Sequence, residues 1–259
     1  MSTFDAFVDD ALSLPPQEVP VHDATAAFTR RAADAAVGAF VLRDTDLPSV
    51  RGFTGPLAVV VTGGAGQVAG PAALCARLGL DLARVEITLR DLDDLPGNAR
   101  RVVAAVDDAR AAGSLGEESA VHVEMPAAPA GAGWLAAADE VAAADLRLTL
   151  PPPPDGSALL GWVDAALDRE LPFACRGLRH AISSGSALGF VNVLVATQLL
   201  FDGVPDALAV LAEQDSARLL ERVTDVDLVR ARRWFTSFSS DEPETSLRAL
   251  AALGLDAEA

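Results

Sequence analysis

The chain of 259 residues has no lysine and no tyrosine, and all 20 of its basic side chains are arginine. Schiff-base aldolase chemistry and pyridoxal-phosphate attachment need a lysine amine, and a Walker phosphate loop needs lysine beside its glycines; all are excluded. Cysteine is nearly absent. Cys75 and Cys175 form no C-x-x-C motif and no dense framework, which fits a reduced, cytoplasmic setting. Positive charge is in deficit, with 20 basic against 37 acidic residues and a formal net charge of −17. No arginine cluster offsets this, so neither nucleic acid nor an anionic membrane is expected as a partner. Long apolar runs are missing too. The longest, Phe190 to Phe201, is interrupted by Asn192, Thr197 and Gln198 and falls short of a membrane span. The start carries Asp5, Asp9 and Asp10 where a signal peptide would be basic. What the chain does have is 51% hydrophobic residues, too many for a disordered protein.

From Leu57 onward, strand-like and helix-like segments alternate, the pattern of a parallel α/β fold. The expected strands are Leu57–Thr62, Arg84–Leu89, Ala120–Met125, Leu146–Leu150 and Pro172–Arg176, with a shorter one at Ala39–Leu42 and a last extended piece at Phe235–Ser239. Helical periodicity fills the intervals, as in Val102, Val103, Val106 and Ala109, which makes Cys75 on the helix before Leu80 a small core residue. Six or seven strands result. The expected organisation is a single α/β domain over 1–259, with an N-terminal extension and helix over 1–36 and a mainly helical part over 184–259. Pro151 to Pro154 read as a stiff loop at a strand's C-terminal end.

Successive strand side chains face opposite ways. Val85, Ile87 and Leu89 therefore oppose Glu86, Thr88 and Arg90; Val121, Val123 and Met125 oppose His122 and Glu124; Leu146, Leu148 and Leu150 oppose Arg147 and Thr149. An open sheet covered by helices on both faces reads as continuous apolar runs, which these strands do not. One oily and one charged face suit a (β/α)-barrel-like fold, complete or irregularly closed, with the charged faces pointing inward. An open doubly wound Rossmann-like sheet is the alternative.

Those inward residues are the candidate site. Glu124 and Glu86 are candidate general bases, His122 and His180 proton-transfer groups, and Arg147 and Arg176, aided by Thr149 and Asn192, clamps for a carboxylate or phosphate, since the planar guanidinium binds two oxygens. Ser183, Ser184, Gly185 and Ser186 add hydroxyls and amides in a loop. The expected function is binding of a small anionic metabolite at the strand C-terminal mouth, with a lyase or isomerase using acid/base chemistry as the enzymatic form. The alternative is a noncatalytic scaffold or partner-binding protein whose interior charges pair with one another. His122 and Glu124, two apart on one strand face, would with Glu86 suit a divalent metal. No cofactor is identified, and the acidic helix Glu213–Glu221 is a solvated face or borders a homo-oligomer contact.

A further alternative comes from VVVTGGAGQVAG, Val59 to Gly70, which runs from a strand through glycines into a helix. Thr62, Gly63, Gly66 and Ala69 resemble the T-G-x-x-G-x-x-G opening of short-chain dehydrogenases, with Glu86 near the position of a ribose-binding acid. That resemblance implies dinucleotide binding over one βαβ unit. The family's Y-x-x-x-K catalytic pair is ruled out by the missing residues.

Later segments resemble another group. PFACRGLRHAI, GFVNVLVA and RWFTSFSSDEP are similar to the F-K-x-T-x-G-L-H-H, H-G-F-x-N and G-S-C-S-F-E-E-P-like segments of an uncharacterised bacterial barrel-like family. VHVEMP and LRLTLPPP are similar to its V-x-V-E-x-P and K-L-R-T-G-G. The resemblance implies a barrel and no particular reaction. Ala174 stands where the family has lysine, Arg147 and Thr149 where it has lysine and arginine, Pro151 and Pro152 at its glycine pair, and Leu188 at its histidine. Glu124, His180, Gly189, Phe190 and Asn192 are kept, so the resemblance implies a divergent copy stripped of its most reactive groups.

Overall fold

The computed structural model describes residues 3–254. Its eight strands are β1 (Val8–Asp10), β2 (Val37–Arg43), β3 (Leu57–Val61), β4 (Leu82–Thr88), β5 (Ala120–Glu124), β6 (Arg147–Leu150), β7 (Phe173–Arg176) and β8 (Phe235–Ser240). They pair in parallel and in chain order, and β8 returns to β1 to close a barrel. The closed ring overturns the open doubly wound alternative. A barrel has no point at which strand order reverses, so the crevice in which Rossmann folds hold dinucleotides is not built.

The strand count is also corrected, from six or seven to eight. Val8–Asp10, inside the segment read as an N-terminal extension, is a barrel strand. It escapes periodicity because only one of its three residues is apolar. Asp9 points into the barrel and Asp10 outward, each on a buried arginine: Asp9 Oδ2 lies 2.7 Å from Arg84 Nη2, and Asp10 pairs with Arg31, which also reaches Glu244.

Helix α1 (Val21–Arg31) connects β1 to β2, and α2 (Ala69–Leu78), α3 (Leu95–Ala111), α4 (Ala132–Ala143) and α5 (Gly156–Leu167) cross over between the strands from β3 to β7. Local chemistry sets their ends. Asp94 and Asp155 accept from the amides of Gly97 and Ala158 to cap α3 and α5, and Gly79 closes α2 with φ +66°. Only a 3₁₀ turn, Asp44–Ser49, links β2 to β3. The oily faces expected of three strands, Val85/Ile87/Leu89, Val121/Val123/Met125 and Leu146/Leu148/Leu150, all join one core beneath the helices.

Between β7 and β8 the chain makes a long excursion through α6 (Phe190–Phe201), α7 (Ala207–Leu211), α8 (Ser216–Asp225) and α9 (Leu228–Ala231) before α10 (Pro243–Ala252) closes the fold. Helix α6 is apolar on every side and is buried from Phe190 to Leu199. Its polar residues are mostly tied down: Thr197 donates to the Val193 carbonyl, Asn192 donates to two carbonyls, and Gln198 donates to Asp202 while its buried Oε1 has no partner among the described residues. No helix among the described residues is long and apolar enough to cross a membrane.

The barrel interior is divided. Ala39, Val41 and Ala58, with Val60, pack as a small apolar cluster on the β2–β3 side. The side formed by β4 to β8 and β1 carries the charges.

Candidate functional site

Parallel registry brings the inward residues into rows: Glu86 beside His122, Thr88 beside Glu124, and Glu124 beside Thr149. Across the interior they form a ladder of ion pairs. Asp9 binds Arg84; Arg84 Nε lies 2.8 Å from Glu86 Oε1; Arg176 Nη2 donates to Glu86 Oε2 at 2.5 Å; and Arg176 Nε lies 3.0 Å from Glu124 Oε1. The two Nε contacts are charge contacts only, because their N–H directions miss hydrogen-bond geometry. Ser237 donates to Asp9 Oδ2 at 2.7 Å, and Thr88 donates to Glu124 Oε2 at 2.5 Å.

Glu86 is the central rung, with a side chain only 2% exposed. Burial alone would raise its carboxyl, but Arg176 and Arg84, and to a smaller extent His122, hold it down to about 2. Arg84 responds in kind: burial works against its charge, and Asp9 and Glu86 more than offset this, so it stays firmly protonated. His122 is driven well below its ordinary value, first by burial and then by Arg84 and Arg147, against the opposing pull of Glu86. It is therefore neutral at pH 7, with Nδ1 3.4 Å from the Thr149 hydroxyl.

At the C-terminal end of the strands the ladder meets solvent. Arg176 and Glu124 have side chains 15% and 16% exposed, and Arg176 enters the wall of a cavity of about 230 Å³. Arg179, His180, Ser186 and the Pro152–Pro153 loop complete the wall. Arg179 is held from behind, its Nε 2.7 Å from Asp241 and its Nη1 3.3 Å from Glu242. Every charged group on the cavity wall is cationic, and the carboxylates that orient them stand outside it.

The expected site residues thus separate into groups. Glu86, Glu124 and Arg176 meet directly, and His180 joins Arg176 at the mouth. Thr149 is buried beside His122. Asn192 is buried in α6, where it accepts from the Ser183 amide and donates to the Val210 and Glu213 carbonyls; it fixes the loop bordering the mouth. Ser183 accepts from the Gly189 amide, and of the small polar run only Ser186 lines the mouth. Arg147 opens β6 at the N-terminal end of the barrel and is exposed there, away from Arg176. Glu86, His122 and Glu124 do not converge as metal ligands, and no group of three His, Cys, Asp or Glu side chains suited to a metal occurs among the described residues. In the glycine segment, Thr62 binds Asp44 at 2.6 Å and Gly64 takes φ +86° before α2, while Glu86, the expected ribose acid, is committed to two arginines.

Sequence reasoning overlooked Asp9, Arg84, Ser237 and Asp241 as members of the polar assembly. Arg84 was within reach, since it lies two residues before Glu86 on the same strand face. Asp9 was not, because nothing local marks a two-carboxylate strand.

No family model matches the chain, and no curated protein matches it.

Proposed function

We propose that the protein binds a small metabolite bearing a carboxylate or phosphate at the C-terminal mouth of the barrel. The observation that carries this is the setting of Arg176. Two carboxylates orient it through Nη2 and Nε, it lines the cavity, and its Nη1 has no partner among the described residues. A guanidinium fixed in this way recognises an oxyanion at little entropic cost. Arg179 and His180 add a second cation and a ring nitrogen to the same wall.

In its enzymatic form the protein is a lyase or isomerase. The base on this reading is Glu124, which does not itself line the cavity but stands 3.0 Å behind the wall residue Arg176 with its side chain 16% exposed. It takes a proton from carbon next to the bound anionic group, Arg176 steadies the negative charge that develops, and His180 exchanges the proton at the mouth. Thr88 and Arg176 hold the two Glu124 oxygens in place for that step. His122, buried and neutral, positions neighbours and does not touch the ligand.

The test is thermal stability in the presence of a panel of small carboxylates and phosphates. A binding anion raises the melting temperature of the wild type, and less so that of His180→Ala, whose exposed side chain can be removed without disturbing the core. Deuterium uptake from solvent into the bound molecule then reads proton abstraction, which Glu124→Gln abolishes while binding persists. An unchanged melting temperature across the panel would sink the reading.

One observation favours a noncatalytic alternative: each charge of the Asp9–Arg84–Glu86–Arg176–Glu124 ladder has a partner of opposite sign. On that reading Glu124→Gln lowers stability and no ligand is turned over.

A further inference from the structure

The N-terminal end of a (β/α)-barrel is ordinarily filled by branched side chains from the strands. Here small residues occupy those positions. Ala6, Gly38, Ala39, Ala83 and Ala120 border a cavity of about 290 Å³ that opens on this face. Gly38 is required there, since a Cβ would lie 2.5 Å from Asp9 Oδ1 and 3.1 Å from the Ala6 carbonyl oxygen.

The wall has two characters. On one side Val37, Pro56 and the alanines are apolar. On the other stand Arg84, His122, Arg147, Asp9 and Ser237. Asp9 is the only acid among them, and it is already spent on Arg84, the Ser237 hydroxyl and the Ala39 amide. Arg147 has no carboxylate partner among the described residues, although the chain carries 37 acidic side chains. The local excess is therefore one positive charge at the rim, with a neutral imidazole behind it.

We propose that this cavity is a second binding site, distinct from the C-terminal mouth, for a small monocarboxylate whose anionic end pairs with Arg147 and whose apolar end packs on Val37, Pro56 and the alanines. Arg147 gives the carboxylate two parallel N–H groups, and His122 forms the wall behind them. A dianion fits less well, because Asp9 and the rung Glu86 lie immediately beyond Arg84. The proposal does not depend on what the C-terminal mouth binds.

The experiment follows the three histidine rings by NMR of histidine-labelled full-length protein titrated with butyrate, His122 being assigned from its loss in His122→Gln. The wild type should show a saturable shift of the His122 signals. Arg147→Met removes an exposed, unpaired side chain and should fold as the wild type does, with butyrate affinity reduced roughly ten- to a hundredfold, as expected for a lost charge-assisted hydrogen bond. His180→Ala, altered only at the opposite mouth, should titrate as the wild type. Absence of a His122 shift, a shift undiminished in Arg147→Met, or one abolished by His180→Ala would each overturn the proposal. A rise in melting temperature with butyrate that His180→Ala leaves undiminished and Arg147→Met removes would support this cavity while counting against the C-terminal mouth, so failure of the two readings is told apart.

Discussion

Replacing Glu86 by glutamine removes the charge that joins Arg84 to Arg176 while keeping its size. Depression of the carboxyl from 4.5 to about 2 corresponds to about 3 kcal/mol, at 1.36 kcal/mol for each pH unit. Breaking a buried pair by removing one partner costs about 3–5 kcal/mol, because the other charge is left behind. Two arginines are left behind here, although Arg84 keeps Asp9 and Arg176 keeps Glu124; the lower end of that range is expected. The pH dependence follows from the sign. A carboxyl with a depressed folded value contributes stability that is fully present above 4.5 and is lost as pH falls through about 2. Urea unfolding of wild type and Glu86→Gln, read from the buried Trp134 and Trp162, should differ by about 3 kcal/mol at pH 7, and the gap should narrow steadily below pH 4.5. Taking the difference between the two proteins cancels the other carboxylates. A gap below about 1 kcal/mol at pH 7, within the range of ordinary surface changes, or one that stays constant down to pH 3, would refute the central role given to this residue.

Other perturbations give separate readouts. His122, held neutral when folded, cannot follow the unfolded chain in taking up a proton, so stability should fall as pH drops below 6.5; in His122→Gln that part of the urea-midpoint profile should be flat. Asp9→Asn should cost about 3 kcal/mol, the lower end of the range for a broken buried pair, since Arg84 loses one counter-charge at the β8–β1 seam but keeps Glu86; guanidinium unfolding measures it. Gly38→Ala, which drives a methyl into the Asp9 carboxylate, should cost about 1–3 kcal/mol by the same assay. Burial pushes the Cys75 thiol up to about 11 and Cys175 higher still, so labelling by a thiol reagent at pH 8 should proceed only at the rate of global opening.

The fold was legible where a strand has one oily and one charged face. Val85 and Ile87 against Glu86, and Val121 and Val123 against His122, already favour a barrel over an open sheet. Strand β1 was illegible, since Asp9 and Asp10 make sense only beside Arg84 and Arg31, which lie 75 and 21 positions away. The candidate site was half legible for a related reason. A period of two tells which face a residue is on but not how high along the barrel it stands. Arg147 opens β6 and Arg176 closes β7, so two arginines of identical pattern serve opposite ends. The glycines after Val61 mislead in the same way, because a strand–turn–helix junction has one local pattern whether the sheet beyond it is open or closed.

The joint between Asp9 and Ser237 has a consequence for how the chain is made. These residues are 228 positions apart, and Arg84, which both of them hold, precedes Ser237 by 153. During synthesis on the ribosome the strands emerge one by one, and the ring cannot close until the last has left the exit tunnel. Until then Arg84 and Glu86 must stay hydrated on an unfinished half-ring, for the interior offers them no complete shelter. Their charge keeps that exposed inner surface wet while its outer face packs against helices, which disfavours premature docking between neighbouring nascent chains. Contacts this distant in sequence are the kind that slow folding, because the entropy of closing the intervening loop is spent before they form.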